Sequence, residues 1–385
     1  MAQSLIAPLD LLLPIVSAHR READKNRRLS DEVCDAIRDS GLLGMPIAPA
    51  HGGLGTPLPD MLQIYEAIAH EDAAVSWVIW NAGLIGFYAR FMPQVLREEL
   101  FSNSDKLICQ STIPAGELHK DGGKIRIRGR WPLMSGSPGA NWAVLSCRKF
   151  IDGQAVLEAS GEPEIVLAAI PRGEFEIIDT WHTSGLRGTG SNDIEVVDVA
   201  LPEHRTFDIA GDAEVTGPTD RLPIFACVSA IFAAQTLGVA QAVFDHALDR
   251  GRSVATPGPT PAPRDRQDYQ IAIARHGEAL SGARERLRTA AYAVWIRAER
   301  ENTPEPNTSA DLYAAAFFVI EAAKSAVEAL HGLSGTSGLY ETSPIEKPAR
   351  DLHAMLRHIV AQPDMQADVG RVKLGLEPNW PLFFV

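Results

Sequence analysis

The chain has 385 residues, 45% of them hydrophobic, with 36 Lys and Arg against 49 Asp and Glu, a formal net charge of −13. At roughly 150 residues per domain this length accommodates two to three domains and a large core, and the ordinary apolar fraction argues against overall disorder. The acidic balance argues against nucleic acid and anionic membrane as partners and favours a soluble enzyme.

The first hundred residues read as helical. The N-terminal apolar stretch follows no basic segment and contains Asp10 and Pro14, so it is not read as a signal peptide. Ser30 stands as an N-cap before Asp31 and Glu32, and Val33, Ile37, Leu42 and Leu43 extend an i, i+4 pattern that Gly41 and Gly44 loosen. His51 to Pro57 is a loop by its Gly and Pro content. From Asp60 to Arg90 the pattern is helical again, with Met61, Tyr65, Ile68, Val75, Trp77, Ile79 and Trp80 apolar, until Pro93 closes it.

From Leu107 to about Arg205 the signals change to short β runs, among them Lys124 to Gly129, Trp142 to Ser146, Ile165 to Ile170 and Ile194 to Val199. Asp121-Gly122-Gly123 and Asp152-Gly153 supply turns, and strands at this spacing predict a β-barrel or sandwich. After a linker from Gly211 to Pro223, helical patterns run over Ile224 to Arg250, Gln267 to Glu299, Ala310 to His331 and Pro344 to Ala361. The breaks at Pro257 to Pro263 and Asn302 to Asn307 are loops, because Pro removes a backbone donor and clashes inside a helix. Four such helices make a bundle. The uncharged segment from Leu222 to Phe244 is long enough to span a membrane, but its Ser229, Gln235, Thr236, Gln241 and many alanines point to a buried core helix. Cys34, Cys109, Cys147 and Cys227 show neither disulfide nor zinc spacing, which suits a reduced cytoplasm and predicts no metal site.

Three stretches carry a family likeness. Gly129-Arg130-Trp131-Pro132-Leu133-Met134-Ser135-Gly136 with Ala140-Asn141-Trp142 is one. Trp181 to Asp193, containing Arg187-Gly188-Thr189-Gly190-Ser191, followed by Leu201 to Arg205, is the second. Ser343-Pro344-Ile345 with Arg350-Asp351-Leu352-His353 and His358 is the third. In this order, with Gly41 to Gly55 before them, they resemble the oxygenase components of two-component flavin-dependent monooxygenases. Those enzymes are built on the acyl-CoA dehydrogenase fold, and the likeness spans nearly the whole chain.

The resemblance implies an α+β, acyl-CoA dehydrogenase-like fold: an N-terminal helical domain over 1–105, a middle β-barrel domain over 106–215 and a C-terminal four-helix bundle over 216–385. It implies reduced FMN or FAD as a cosubstrate from a separate NAD(P)H-dependent flavin reductase, O2 captured as a C4a-hydroperoxyflavin, a small aromatic substrate, and a homotetramer. The chain agrees in having no strand–GxGxxG–helix unit for a nicotinamide.

By the same resemblance, His358 and Ser135 are catalytic, His358 by moving a proton or hydrogen-bonding a peroxide and Ser135 by hydrogen-bonding flavin. Ser137 is the neighbouring alternative to Ser135. Trp131, Ser111, Thr189, Gly190, Ser191 and Arg252 complete the flavin set, with Arg252 on phosphate. His353, five residues before His358, is read as structural. The helix from Val75 to Arg90 lacks the histidine that several phenol hydroxylases carry there, leaving Asn81 as its polar candidate beside Trp80, Ile85 and Phe87. An indole-like or other heteroaromatic substrate follows. Two alternatives stand beside this: an FAD-containing acyl-CoA dehydrogenase-like enzyme, against which the missing Glu between Arg350 and Met365 counts, and a non-catalytic ligand-binding relative.

Overall fold

A computed structural model describes residues 6–102, 106–252, 261–300, 305–380 and 383. The expected loop residues 257–260 and 302–304 lie outside that set. By internal packing the chain forms two compact units. One comprises Met1–Thr56, Trp77–Thr183 and Arg187–Asp220, the other Pro57–Ser76, Ser184–Leu186 and Arg221–Val385.

The first unit begins with α1 (Ile6–Asn26) and α2 (Asp31–Asp39). The expected cap of α2 is present: the Ser30 hydroxyl accepts the Val33 N–H at 3.3 Å. α3 (Leu58–Glu71) belongs to the second unit, α4 (Ala73–Phe87) starts there and continues into the first, and α5 (Gln94–Phe101) lies in the first.

The β region comprises β1 (Ile108–Asp121), β2 (Lys124–Met134), β3 (Trp142–Ile151), β4 (Gln154–Ala155), β5 (Ile165–Pro171), β6 (Glu176–Ile178), β7 (Asn192–Leu201) and β8 (Thr206–Phe207). Its order is β6-β7-β2-β1-β3-β5-β8, with β4 on β3. β1 and β3 run parallel and every other pair is antiparallel. The expected closed barrel is therefore corrected to an open sheet: the short end strands β6 and β8 each pair on one side only, and no ladder joins them among the described residues. Closure needs a continuous ring of paired strands. The inner face gathers Ile127, Trp131, Leu145, Cys147, Ile170 and Ile194 into a buried apolar core. Trp131 fills it because Gly116 has no Cβ, which would stand 1.9 Å from the indole.

The second unit packs α3 with α6 (Ile224–Arg252), α7 (Gln267–Glu299), α8 (Pro306–Leu333), α9 (Glu346–Met355) and α10 (Pro363–Lys373). The most apolar window of α6 is 89% buried, so the segment apolar enough for a membrane is a core helix packed by α3, α7, α8 and α9. The helix expected over Pro344 to Ala361 is corrected to the shorter α9. His358 leaves helical geometry at φ −67, ψ 146, and its ring accepts the Val360 N–H, starting a separate turn over Ile359–Ala361.

Candidate active site

Within the first unit, two turns are laced together beside α4. At the end of β2 the backbone passes through Leu133 at φ +61, and beyond the strand through Gly136 at φ +79. A side chain at Gly136 would be strained, and its Cβ would press to 2.9 Å from Val78 on α4. The Ser135 N–H donates to the Leu133 carbonyl at 2.9 Å, and the Gly136 N–H to the Thr189 carbonyl at 2.8 Å. The Ser137 hydroxyl donates to the Gly190 carbonyl at 3.1 Å. These bonds fasten the Ser135 turn to the Arg187–Thr189 turn that precedes β7.

Between the turns the side chains form a polar chain. Ser135 Oγ lies 2.8 Å from Ser191 Oγ, which lies 2.6 Å from Thr189 Oγ1, and the Trp77 indole N–H donates to Ser135 Oγ at 3.1 Å. All four residues are buried. Buried hydroxyls without partners are costly, so their mutual bonding is what permits such a cluster inside a protein. Because its own N–H is taken by Leu133, Ser135 presents a hydroxyl and not an amide.

α4 supplies the adjoining surface. Trp77, Trp80 and Asn81 lie at i, i+3 and i+4 on one side of the helix, with the two indoles edge to face at 4.9 Å. Asn81 Oδ1 is buried and has no hydrogen-bond partner among the described residues. Ile85 and Phe87, further along α4, are buried as well. Gln110 on β1 also buries a side-chain carbonyl oxygen without a hydrogen-bond partner among the described residues. Next to it, Ser111 accepts the Ile113 N–H at 3.3 Å, where the β1–β3 register shifts.

Not every candidate joins the cluster. Trp131 is spent on the sheet core, its indole N–H donating to the Ser146 carbonyl at 2.7 Å. Arg252 ends α6 with an exposed side chain. Two residues had no place in the expected site: Trp77 and Gln110. The signal for Trp77 was available, since a Trp buried in a helix needs an acceptor for its N–H.

His358 belongs to the second unit. It is half-buried, stacks on Phe232 at 5.7 Å, and burial lowers its pKa to about 4. It is therefore neutral at neutral pH, and because Nδ1 accepts from Val360 at 3.3 Å, the ring proton resides on Nε2. His353 is exposed. The Arg350–Asp351 pair works on the backbone: Asp351 accepts the Leu186 N–H at 2.7 Å and Arg350 donates to the Ser184 carbonyl at 3.0 Å. Lys347 lies 2.7 Å from Asp351 and 2.8 Å from Asp72, which in turn accepts the Ala74 and Val75 N–H groups at the start of α4. Burial alone would lower the Lys347 pKa; the two carboxylates outweigh it and raise it, so Lys347 stays charged.

For a flavin, the first unit offers hydroxyls able to donate or accept and two buried carbonyl oxygens that can take donors. A ring system edged with alternating N–H, N and C=O groups needs such a mixture of donors and acceptors. The residues fit.

Comparison with known proteins agrees. Residues 14–100 match the acyl-CoA dehydrogenase N-terminal domain and residues 230–363 the acyl-CoA dehydrogenase C-terminal domain. An indole-3-acetate monooxygenase of Pseudomonas putida is 26% identical over 362 residues, covering 93% of this chain and 90% of its own. The oxygenase component of an FADH2-dependent resorcinol hydroxylase from Rhizobium sp. is also 26% identical, over 93% of this chain and 91% of its own. Among solved structures, XiaF from Streptomyces sp., in complex with FADH2 and glycerol, superposes with a TM-score of 0.86 at 22% identity, covering 98% of this chain and 96% of XiaF.

Proposed function

We propose that this chain, which belongs to the acyl-CoA dehydrogenase family, is the oxygenase component of a two-component flavin-dependent monooxygenase. Its substrate is a small aromatic or heteroaromatic molecule with a ring N–H, of indole type. Reduced FMN or FAD arrives from a separate NAD(P)H-dependent reductase. When bound, reduced flavin supplies the two electrons with which O2 yields one substrate oxygen and one water.

The observation that carries the proposal is the buried Ser135–Ser191–Thr189 hydroxyl chain set against α4. Ser135 is the hydroxyl for the flavin ring, with Ser191 and Thr189 behind it and Ser137 and Gly190 holding its turn. Trp131 keeps the β2 end of that turn rigid from inside the sheet. Ser111 and Gln110 serve the flavin or substrate edge, and Arg252 the flavin phosphate, where a guanidinium suits in charge and reach. Asn81 Oδ1 accepts the substrate N–H, with Trp80, Ile85 and Phe87 as apolar walls excluding water. His358, neutral, holds its proton at Nε2 and donates a hydrogen bond from there. Regions 1–105, 106–215 and 216–385 are assigned as the three domains, the assembly as a homotetramer, and the compartment as the cytoplasm. The absence of a Glu between Arg350 and Met365 counts against thioester dehydrogenation.

The test is isotopic. The protein, a flavin reductase, NADH and 18O2 are incubated with indole and with a panel of phenols. One 18O in the aromatic product is expected. Reduction of protein-bound flavin by an acyl-CoA without O2, with no labelled product, would overturn the assignment.

A further inference from the structure

The polar chain contains one member that cannot reverse. An indole N–H only donates, whereas each hydroxyl has one proton and two acceptor lone pairs. Trp77 therefore occupies one lone pair of Ser135 in every state of the chain. Ser191 has a single proton, so it donates to Thr189 or to Ser135 but not to both. When Ser191 donates to Thr189, the Ser135 proton goes to Ser191, and one Ser135 lone pair stays open for an outside donor. When Ser191 donates to Ser135, both Ser135 lone pairs are filled and its proton points out of the chain, to an outside acceptor. Hydroxyl rotation alone interconverts the two orders.

We infer that Trp77 is a positioning residue, and that with Ser191 and Thr189 it makes Ser135 a hydroxyl switch answering the hydrogen-bond polarity of the bound flavin. This rests on the oxygenase proposal for the identity of the ligand. Reduction places a hydrogen on the central ring nitrogen of a flavin, and oxidation removes it. The first order meets the N–H of the reduced ring and the second meets the bare nitrogen of the oxidised ring. In the second order Ser135 donates while accepting from two donors, an arrangement in which hydrogen bonds strengthen one another. Without the Trp77 N–H, or without Ser191, Ser135 loses one of those two donors.

The experiment has two arms. In the ligand-free protein labelled with 15N-Trp, the Trp77 indole signal is identified by its loss in Trp77→Phe. It is expected to move upfield in Ser135→Ala, and to shift measurably in Ser191→Ala although Ser191 does not touch the indole. In the second arm, dissociation constants for oxidised and reduced FMN and FAD are measured anaerobically for wild type, Trp77→Phe, Ser191→Ala and the double variant. Each single variant is expected to weaken oxidised-flavin binding by about tenfold, the size of one hydrogen bond's net contribution, and reduced-flavin binding by less than about threefold. Losses in the double variant should fall short of the product of the singles, because the two groups act through one hydroxyl. Equal losses for both redox states, or strictly multiplicative ones, overturn the switch. A wild type that binds neither flavin overturns the oxygenase assignment instead; the indole signal then decides, since one unmoved by Ser191→Ala removes the relay and one that shifts keeps it.

Discussion

The hydroxyl chain of the first unit and the ionic cluster of the second solve the same problem by different chemistry. Each fixes a stretch of backbone just before β7: Ser135 and Ser137 hold Thr189 to Ser191, and Asp351 with Arg350 holds Ser184 to Leu186. The ionic cluster does so with ionisable groups, Asp72 and Asp351 at 1% exposure around Lys347. Burial raises the Asp351 pKa and Lys347 opposes that rise, so the cluster depends on its cation: taking Lys347 away strands two buried carboxyl groups in a low-dielectric interior. The hydroxyl chain is neutral and its protons can rotate, so it can turn a donor or an acceptor toward a ligand at little cost. Structure is entrusted to the charged cluster, and ligand response to the neutral one.

That division is broken most directly at Lys347. Lys347→Met keeps the packing but leaves Asp72 and Asp351 facing each other unneutralised. A loss of about 3–5 kcal/mol in unfolding free energy is expected by urea titration. A midpoint equal to wild type would show that the cluster is not what holds Leu186 and the start of α4.

The next largest effect is a pH dependence set by His358. Its folded pKa of about 4 lies below the ordinary value of 6.5, so between those pH values the unfolded chain binds the extra proton. Stability from this residue is intact above pH 6.5 and is lost as pH falls toward 4, by at most about 3–4 kcal/mol at 1.36 kcal/mol per unit. His358→Gln should flatten the stability profile in this window while the alkaline side stays unchanged. An unaltered acid slope would mean that some other group dominates.

In the neutral cluster the expected stability effect is smaller. Ser135→Ala takes the acceptor from Trp77 and a partner from Ser191, and should cost about 1–3 kcal/mol. If the melt were unchanged while oxygenation with reduced flavin turned largely to hydrogen peroxide release, the hydroxyl would be functional without being structural, and the contrast between the clusters would sharpen.

How much of this was legible beforehand follows from where each signal resides. The bounds of α6 and α7 could be read because long apolar periods are local, but α8 starts at Pro306, inside the expected loop and before the expected Ala310, because Pro is tolerated in the first turn of a helix. Sheet closure could not, since alternation along β6 or β8 says nothing about whether the two end strands pair. α9 ended early for a reason periodicity does not carry, a histidine ring accepting a backbone N–H two residues on. Ser135, Thr189 and Ser191 were found by resemblance alone: a bond spanning 56 positions leaves no spacing to read. The Trp77 N–H called for an acceptor, but α4 is apolar nearly all round, so nothing in its pattern marks which side carries the bond.

The same apolar helix provides the smallest structural effect and the most selective functional one. Asn81 Oδ1 is a buried acceptor without a partner among the described residues, a state that costs stability until a donor arrives. Asn81→Ala should therefore leave unfolding within about 1 kcal/mol of wild type, because the lost packing is offset by removal of an unsatisfied group. Its consequence should appear in a substrate comparison. Wild type is expected to favour indole over N-methylindole by about tenfold in kcat/KM, the net worth of one hydrogen bond, and Asn81→Ala should erase that preference by slowing indole alone. If the variant slowed both substrates equally, Asn81 would be shaping the pocket without reading the ring N–H. A preference that survived the substitution would move the N–H acceptor elsewhere, with the Gln110 carbonyl oxygen, buried and likewise unpartnered among the described residues, as the next group to remove.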